Sequence, residues 1–325
     1  MALRESIARV RNRLGRFRPV VAAGQILHRE QLRPTRRRYR ELGMSGPWFG
    51  LVSHSEVAGR GQGVALLDRP DGLAELEADP RFAALDASLQ QGLREWPETG
   101  YLVAKGFFDA QEVAAANEEV DRFAASGRIQ QHHLDPRYMN VHRESAAVAA
   151  LAEDERALGL IELILGRRAG LFQTIYFQTG SQQEAHSDAF HMMTEPPGFL
   201  VGMWVALEDI DEGAGPVFYV PGSHRLPYLM SEDLGVPDPP PLLIADKGDA
   251  YVRRMRELVA GTETVKFTAS AGDVLFWHHN LTHGGSGVTR PGATRRSLVG
   301  HYFARDVLCY HEVTERGALM PAGFE

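Results

Sequence analysis

The chain has 325 residues, 44% of them hydrophobic and 24% charged, enough to bury one large core with appended helices. No run approaches about eighteen uninterrupted apolar residues, so no membrane span is expected, and the start Met1-Ala2-Leu3-Arg4 lacks the apolar core of a secretory leader. A single cysteine, Cys309, excludes an intrachain disulfide and suits a cytoplasmic setting.

Charge is unevenly spread. Residues 1–40 hold twelve Arg against Glu5 and Glu30, a charge of +10, which leaves −17 to the rest of a chain whose total is −7. A basic arm can meet nucleic acid or anionic lipid. Here Leu3, Ile7, Val10 and Leu14 recur at helical spacing and no aromatic-studded nucleic-acid motif accompanies them. Residues 1–95 are therefore expected to form a basic helical extension packed on the acidic body or on a second subunit, with no nucleic-acid partner and homo-oligomerisation left open.

Glu98 to Phe108 reads as the strand that opens a second region, 96–325. Asp109 is a good N-cap for a helix through about Ala125, and a second helix is predicted from about Ala146 to Leu165, stopped by Gly166. From Leu171 onward short strands with Gly/Pro turns dominate, the pattern of a mainly β protein with flanking helices and a double-stranded β-helix (jelly-roll, cupin-like) core. The apolar runs Gly202–Leu207 and Val217–Val220, separated by an acidic, Gly-rich turn, read as a hairpin. Residues 226–265 interrupt the strands with Pro237-Asp238-Pro239-Pro240-Pro241 and a short helix near Ala250–Val259, a candidate lid. Arg253, Arg254 and Arg256 in it suit a solvated helix face better than an anion site.

The chemistry rests on His186-Ser187-Asp188 and His283. On an extended strand residues i and i+2 share a face, so His186 and Asp188 can reach one metal while Ser187 turns away. Two imidazoles plus one carboxylate is the ligand set of a non-haem Fe(II) oxygenase, with the remaining coordination positions open. With 13 His and 42 acidic residues in the chain, the triplet alone is a weak signal.

Its surroundings sharpen it. The triplet is followed by Trp204-Val205-Ala206-Leu207-Glu208-Asp209, Pro221-Gly222-Ser223-His224-Arg225, Gly272-Asp273-Val274, then His283-Gly284-Gly285-Ser286 and Arg295. In this order and spacing, about Leu171 to Ala304 resembles the phytanoyl-CoA dioxygenase family of Fe(II)/2-oxoglutarate oxygenases. The resemblance implies His186, Asp188 and His283 as iron ligands. Arg295 then holds the distal carboxylate of 2-oxoglutarate, with Ser297 on the same face and Trp204 and Ile175 beside the cosubstrate. Arg296 is the rival of Arg295, and for Trp204 and Ile175 plain core packing is the competing reading. A further basic contact of the family has Arg137 and Asn140 as its nearest candidates. His279 is expected to support the iron ligand His283, His224 to fix a strand end near the site mouth, and His191 to line the pocket or an exposed loop.

The implied activity is oxidation by O2 and 2-oxoglutarate, by default hydroxylation of an unactivated C–H bond in a small molecule with release of succinate and CO2. Related halogenases carry a small residue in place of the carboxylate ligand, so Asp188 argues against halogenation. The alternative class is a jelly roll that binds a metal or ligand without catalysis.

Overall fold

The computed structural model describes residues 16–131, 137–236, 243, 244 and 246–320. The expected helical repeat at Leu3–Leu14 and the Pro237–Pro241 run lie outside them. Among the described residues no helix is long and apolar enough to cross a membrane.

The helices that position the core are α1 (Arg18–Leu27), α2 (Ala87–Thr99), α3 (Ala110–Ala125), α4 (Ala146–Ala152), α5 (Glu155–Leu165) and α6 (Gly248–Leu258). The strands are β1 (Tyr101–Ala104), β2 (Arg137–Met139), β3 (Ala169–Phe177), β4 (Met193–Glu195), β5 (Leu200–Ala206), β6 (Val217–Tyr219), β7 (Val265–Phe267), β8 (Val274–His278), β9 (His283–Gly285), β10 (Ser297–Ala304), β11 (Leu308–His311) and β12 (Arg316–Gly317). They form an antiparallel six-stranded sheet, β1-β8-β5-β10-β3-β2, and two three-stranded sheets, β12-β11-β4 and β7-β6-β9. This is the jelly-roll core expected from the strand pattern.

Strand parity divides the large sheet into two buried faces. Met203, Val205, Val274, Phe276, Leu298 and Tyr302 join the helix-side core. Their neighbours Trp204, Leu275, Trp277 and Val299 face inward, packed with Val217 and Tyr219 of the opposing sheet. Because β5, β8 and β10 are buried on both sides, they lack the regular apolar–polar alternation of a half-exposed strand.

Asp109 caps α3 as expected, accepting from the N–H groups of Gln111 and Glu112, while Glu112 accepts from the N–H of Asp109. Such a box contributes about 0.5–2 kcal/mol. The single helix expected over Ala146–Leu165 is two. Asp154 takes the N–H groups of Arg156 and Ala157, which stops α4 and starts α5, and Gly166 ends α5 in the left-handed region at φ 67°.

The predicted hairpin is also corrected. β5 pairs with β8 and β10, whereas β6 pairs with β7 and β9, so the acidic turn carries the chain from one sheet to the other. Residues 16–95 lie on the body as short helices and loops. Tyr39, Val52 and Val57 pack on Met193, Leu308 and Tyr310. The division expected at residue 95 falls inside α2, whose Trp96 is fully buried.

Candidate active site

His186 and His283 face each other across a two-residue antiparallel bridge, each N–H donating to the other's carbonyl at 2.9 Å. The ladder ends there. Ser187 is extended, but the chain then curls into a short turn over Asp188–Phe190, so Asp188 arrives from a turn and not from a regular strand. One potential ligand atom from each of His186, Asp188 and His283 lies within 4.8 Å of the others, and all three residues are buried. Nδ1 of His186 sits 2.9 Å from the Glu184 carbonyl and Nδ1 of His283 2.9 Å from that of Leu281. A ring nitrogen facing a carbonyl carries the proton, so each Nε2 keeps its lone pair; that of His283 points to Asp188, and that of His186 has the Gln183 side-chain amide 3.2 Å away, a contact a cation would displace. Burial pushes His186 down to about 3, which keeps it neutral and ready to ligate.

Asp188 has two partners that motif reading missed. The Trp277 indole N–H donates to its Oδ2 at 2.8 Å, and Nε2 of His301 lies 3.4 Å from the same oxygen. Oδ1 is thereby turned towards His283, 3.8 Å away. Burial pushes the Asp188 carboxyl up, yet His301 and His283 outweigh it and hold the group well below the ordinary carboxylate range. Gly202, cross-strand from Trp277, makes room for the indole: a Cβ there would sit 2.3 Å from the ring. The even spacing of Arg295, Ser297, Val299 and His301 along β10 was the one available signal for His301. Nothing local marked Trp277. Trp277→Phe keeps the ring and removes the N–H, so Fe(II) or Co(II) affinity should fall about 10–100-fold with the fold intact. An unchanged affinity in a metal titration would show that the indole only packs.

The register of β10 decides between the two arginines. Arg296 points outward to Asp121 at 2.9 Å, and its N–H donates to Glu208. Arg295 points inward, 2% exposed, between the rings of Phe177 and Trp204. Among the described residues its Nε and Nη1 have no partner, nor have Ser297 Oγ and Trp204 Nε1. Burial without a counter-charge pushes Arg295 down to about 10. Such groups are rarely left unsatisfied, and here they leave room for one carboxylate. Arg295, Trp204 and Ile175 share a cavity of about 310 Å³ with His186, Asp188 and His283, while Ser297 is buried beside Arg295. Two imidazoles and a carboxylate suit Fe(II), and the orphaned donors suit 2-oxoglutarate.

The family model described as phytanoyl-CoA dioxygenase (PhyH) matches residues 96–297. The chain belongs to the phytanoyl-CoA dioxygenase family. Among relatives, the bovine phytanoyl-CoA dioxygenase domain-containing protein 1 is 38% identical over 93 residues, 29% of this chain and 30% of that protein. The ectoine dioxygenase of Nocardia farcinica is 26% identical over 249 residues, 66% of this chain and 80% of that enzyme. The fold is shared with the 2-oxoglutarate-dependent carbocyclase SnoK from nogalamycin biosynthesis, at TM-score 0.57 and 16% identity over 75% of this chain and 96% of that one. It is also shared with EctD from S. alaskensis bound to 2-oxoglutarate and 5-hydroxyectoine, at TM-score 0.52 and 24% identity over 68% and 76%.

Several family-guided expectations move once the fold is seen. Arg137 lines the cavity, whereas Asn140 is taken up by the backbone of Thr174. His191 lines the cavity too. His279 does not support His283: its Nε2 meets the Tyr228 hydroxyl, and its carbonyl holds the N–H of Ala189. His224 packs on His278, away from the cavity lining, but its motif still positions the site, because Ser223 Oγ accepts from the N–H of Thr282 beside His283. In the insertion expected to form a lid, 237–242 and 245 lie outside the described residues, and α6 braces the site from outside. Tyr251 of α6 stacks on Phe190 at 3.7 Å and its hydroxyl accepts from the Ser187 N–H, and no described residue of 226–265 lines the cavity.

Burial pushes His279 down to about 3 and His224 to about 4. Both stay neutral when folded but take a proton near pH 6.5 once unfolded, so acid favours the unfolded chain. Unfolding free energy should decline as pH falls from about 6.5 towards 4. Urea midpoints at pH 7, 6 and 5 check this, and a constant midpoint would contradict it.

Proposed function

We propose that this chain is an Fe(II)/2-oxoglutarate-dependent oxygenase that hydroxylates an unactivated C–H bond of a small molecule, a lipid or acyl compound or a natural-product intermediate. The observation that carries the reading is the buried Arg295, without a counter-charge, opening on the same cavity as His186, Asp188 and His283. In this reading the three triad residues hold Fe(II), and Arg295 with Ser297 holds the distal carboxylate of 2-oxoglutarate through charge-assisted hydrogen bonds. When bound, the metal and cosubstrate with O2 supply the oxidant that converts C–H to C–OH, releasing succinate and CO2. Trp204, Phe177 and Ile175 exclude water around the carboxylate, which strengthens its pairing with Arg295. Trp277 and His301 keep Asp188 aimed by its free oxygen. The carboxylate at 188 also disfavours a halide at the metal.

The chain from α2 onward serves as the oxygenase domain, and the stretch before α2 as an extension stabilising it from outside. The buried thiol of Cys309 suits a cytoplasmic setting. Purified protein supplied with Fe(II), O2 and 2-oxoglutarate should form succinate slowly even without added substrate. A non-catalytic jelly-roll module would form none, and that outcome would replace this reading.

A further inference from the structure

The arginine-rich sequence near the N-terminus is not consumed by the catalytic site. Arg33, Arg36, Arg37, Arg38 and Arg40 converge with Arg305, from just beyond β10, on one concavity of about 300 Å³ floored by Val307 and Met320. Among the described residues no carboxylate lines it. Arg37 and Arg38 share Glu41, while among the described residues Arg33, Arg36 and Arg40 are exposed and have no acidic partner. The rest of the chain is acidic, yet these side chains do not turn onto it. The guanidinium groups of Arg33, Arg36 and Arg40, exposed beside the paired Arg37 and Arg38 and beside Arg305, whose Nε donates to the Ala169 carbonyl, repel one another until an anion enters, and their planar forks match phosphate oxygens in pairs. The hollow is compact, and none of its lining residues is an aromatic on which a nucleic-acid base could stack. Its lining shares no residue with the catalytic cavity.

We propose that this concavity binds the di- or triphosphate group of a soluble small molecule, at a site separate from catalysis. Tripolyphosphate titrated calorimetrically into the full chain at physiological salt is the test. Arg36→Gln/Arg40→Gln should weaken binding about tenfold or more, as loss of charge-assisted pairs would. Arg253→Gln/Arg254→Gln, an equal change of charge on the exposed face of α6, should leave it unchanged. Thermal melts verify that both variants fold, and Arg33→Gln/Arg36→Gln replaces the first pair if it does not. Absence of binding by the wild type, an equal loss in the α6 variant, or preference for phosphatidylserine vesicles or duplex DNA over tripolyphosphate would each overturn the proposal.

Discussion

Arg295→Met should give a protein that melts higher than the wild type and no longer binds 2-oxoglutarate. Without ligand, Arg295 is a buried cation between Phe177 and Trp204 with two orphaned nitrogens, and burial alone pushes it from the ordinary arginine value down to about 10. At about 1.4 kcal/mol per pKa unit this is a native-state cost on the order of 3 kcal/mol. Methionine fills similar space without that cost, so the apo protein should gain several degrees in melting temperature. The same change removes the inward-facing guanidinium just before β10 that would pair with the carboxylate. Loss of a buried charge-assisted pair costs about 2–5 kcal/mol, thirtyfold or more in affinity. The two effects separate in one experiment: cosubstrate at about a hundred times its Kd stabilises the wild type by about 2.7 kcal/mol and should not shift the variant. Arg296→Met, on the outer face against Asp121, should retain the ligand-induced shift. A large shift in the Arg295 variant, or its loss in the Arg296 variant, would reverse the assignment.

His283→Ala should abolish succinate formation and weaken Fe(II) binding beyond the roughly 100-fold limit typical of outer partners. The bridge between residues 186 and 283 is made by backbone groups, so alanine preserves it and the fold should persist. What disappears is one Nε2 lone pair of the three convergent ligands. Circular dichroism would verify folding, and succinate release under saturating Fe(II) and 2-oxoglutarate would measure the loss. Wild-type turnover in a folded variant would dismiss the triad.

Asp109 as a helix cap, Gly166 as a helix stop, the long strand-rich region and the triad of His186, Asp188 and His283 were legible along the chain. Each depends on near neighbours, or on residue types too specific in combination to arise often. The pairing of β5 and β6 was not legible, because two apolar runs joined by a turn look alike whether they pair with each other or part into separate sheets. Nor was the break at Asp154, where one side chain competes for the backbone against an otherwise good helical run. The choice between Arg295 and Arg296 is one of parity, and parity has meaning only once β10 is registered against β3 and β5. The sequence by itself therefore determined which chemical groups this protein carries and the class of reaction they suit. Tertiary structure alone decided that Trp277 and His301 aim Asp188, that Gly202 makes room for the indole and that Tyr251 braces the turn carrying Asp188. Those contacts join residues up to 113 positions apart and arise from packing in three dimensions, which no local pattern encodes.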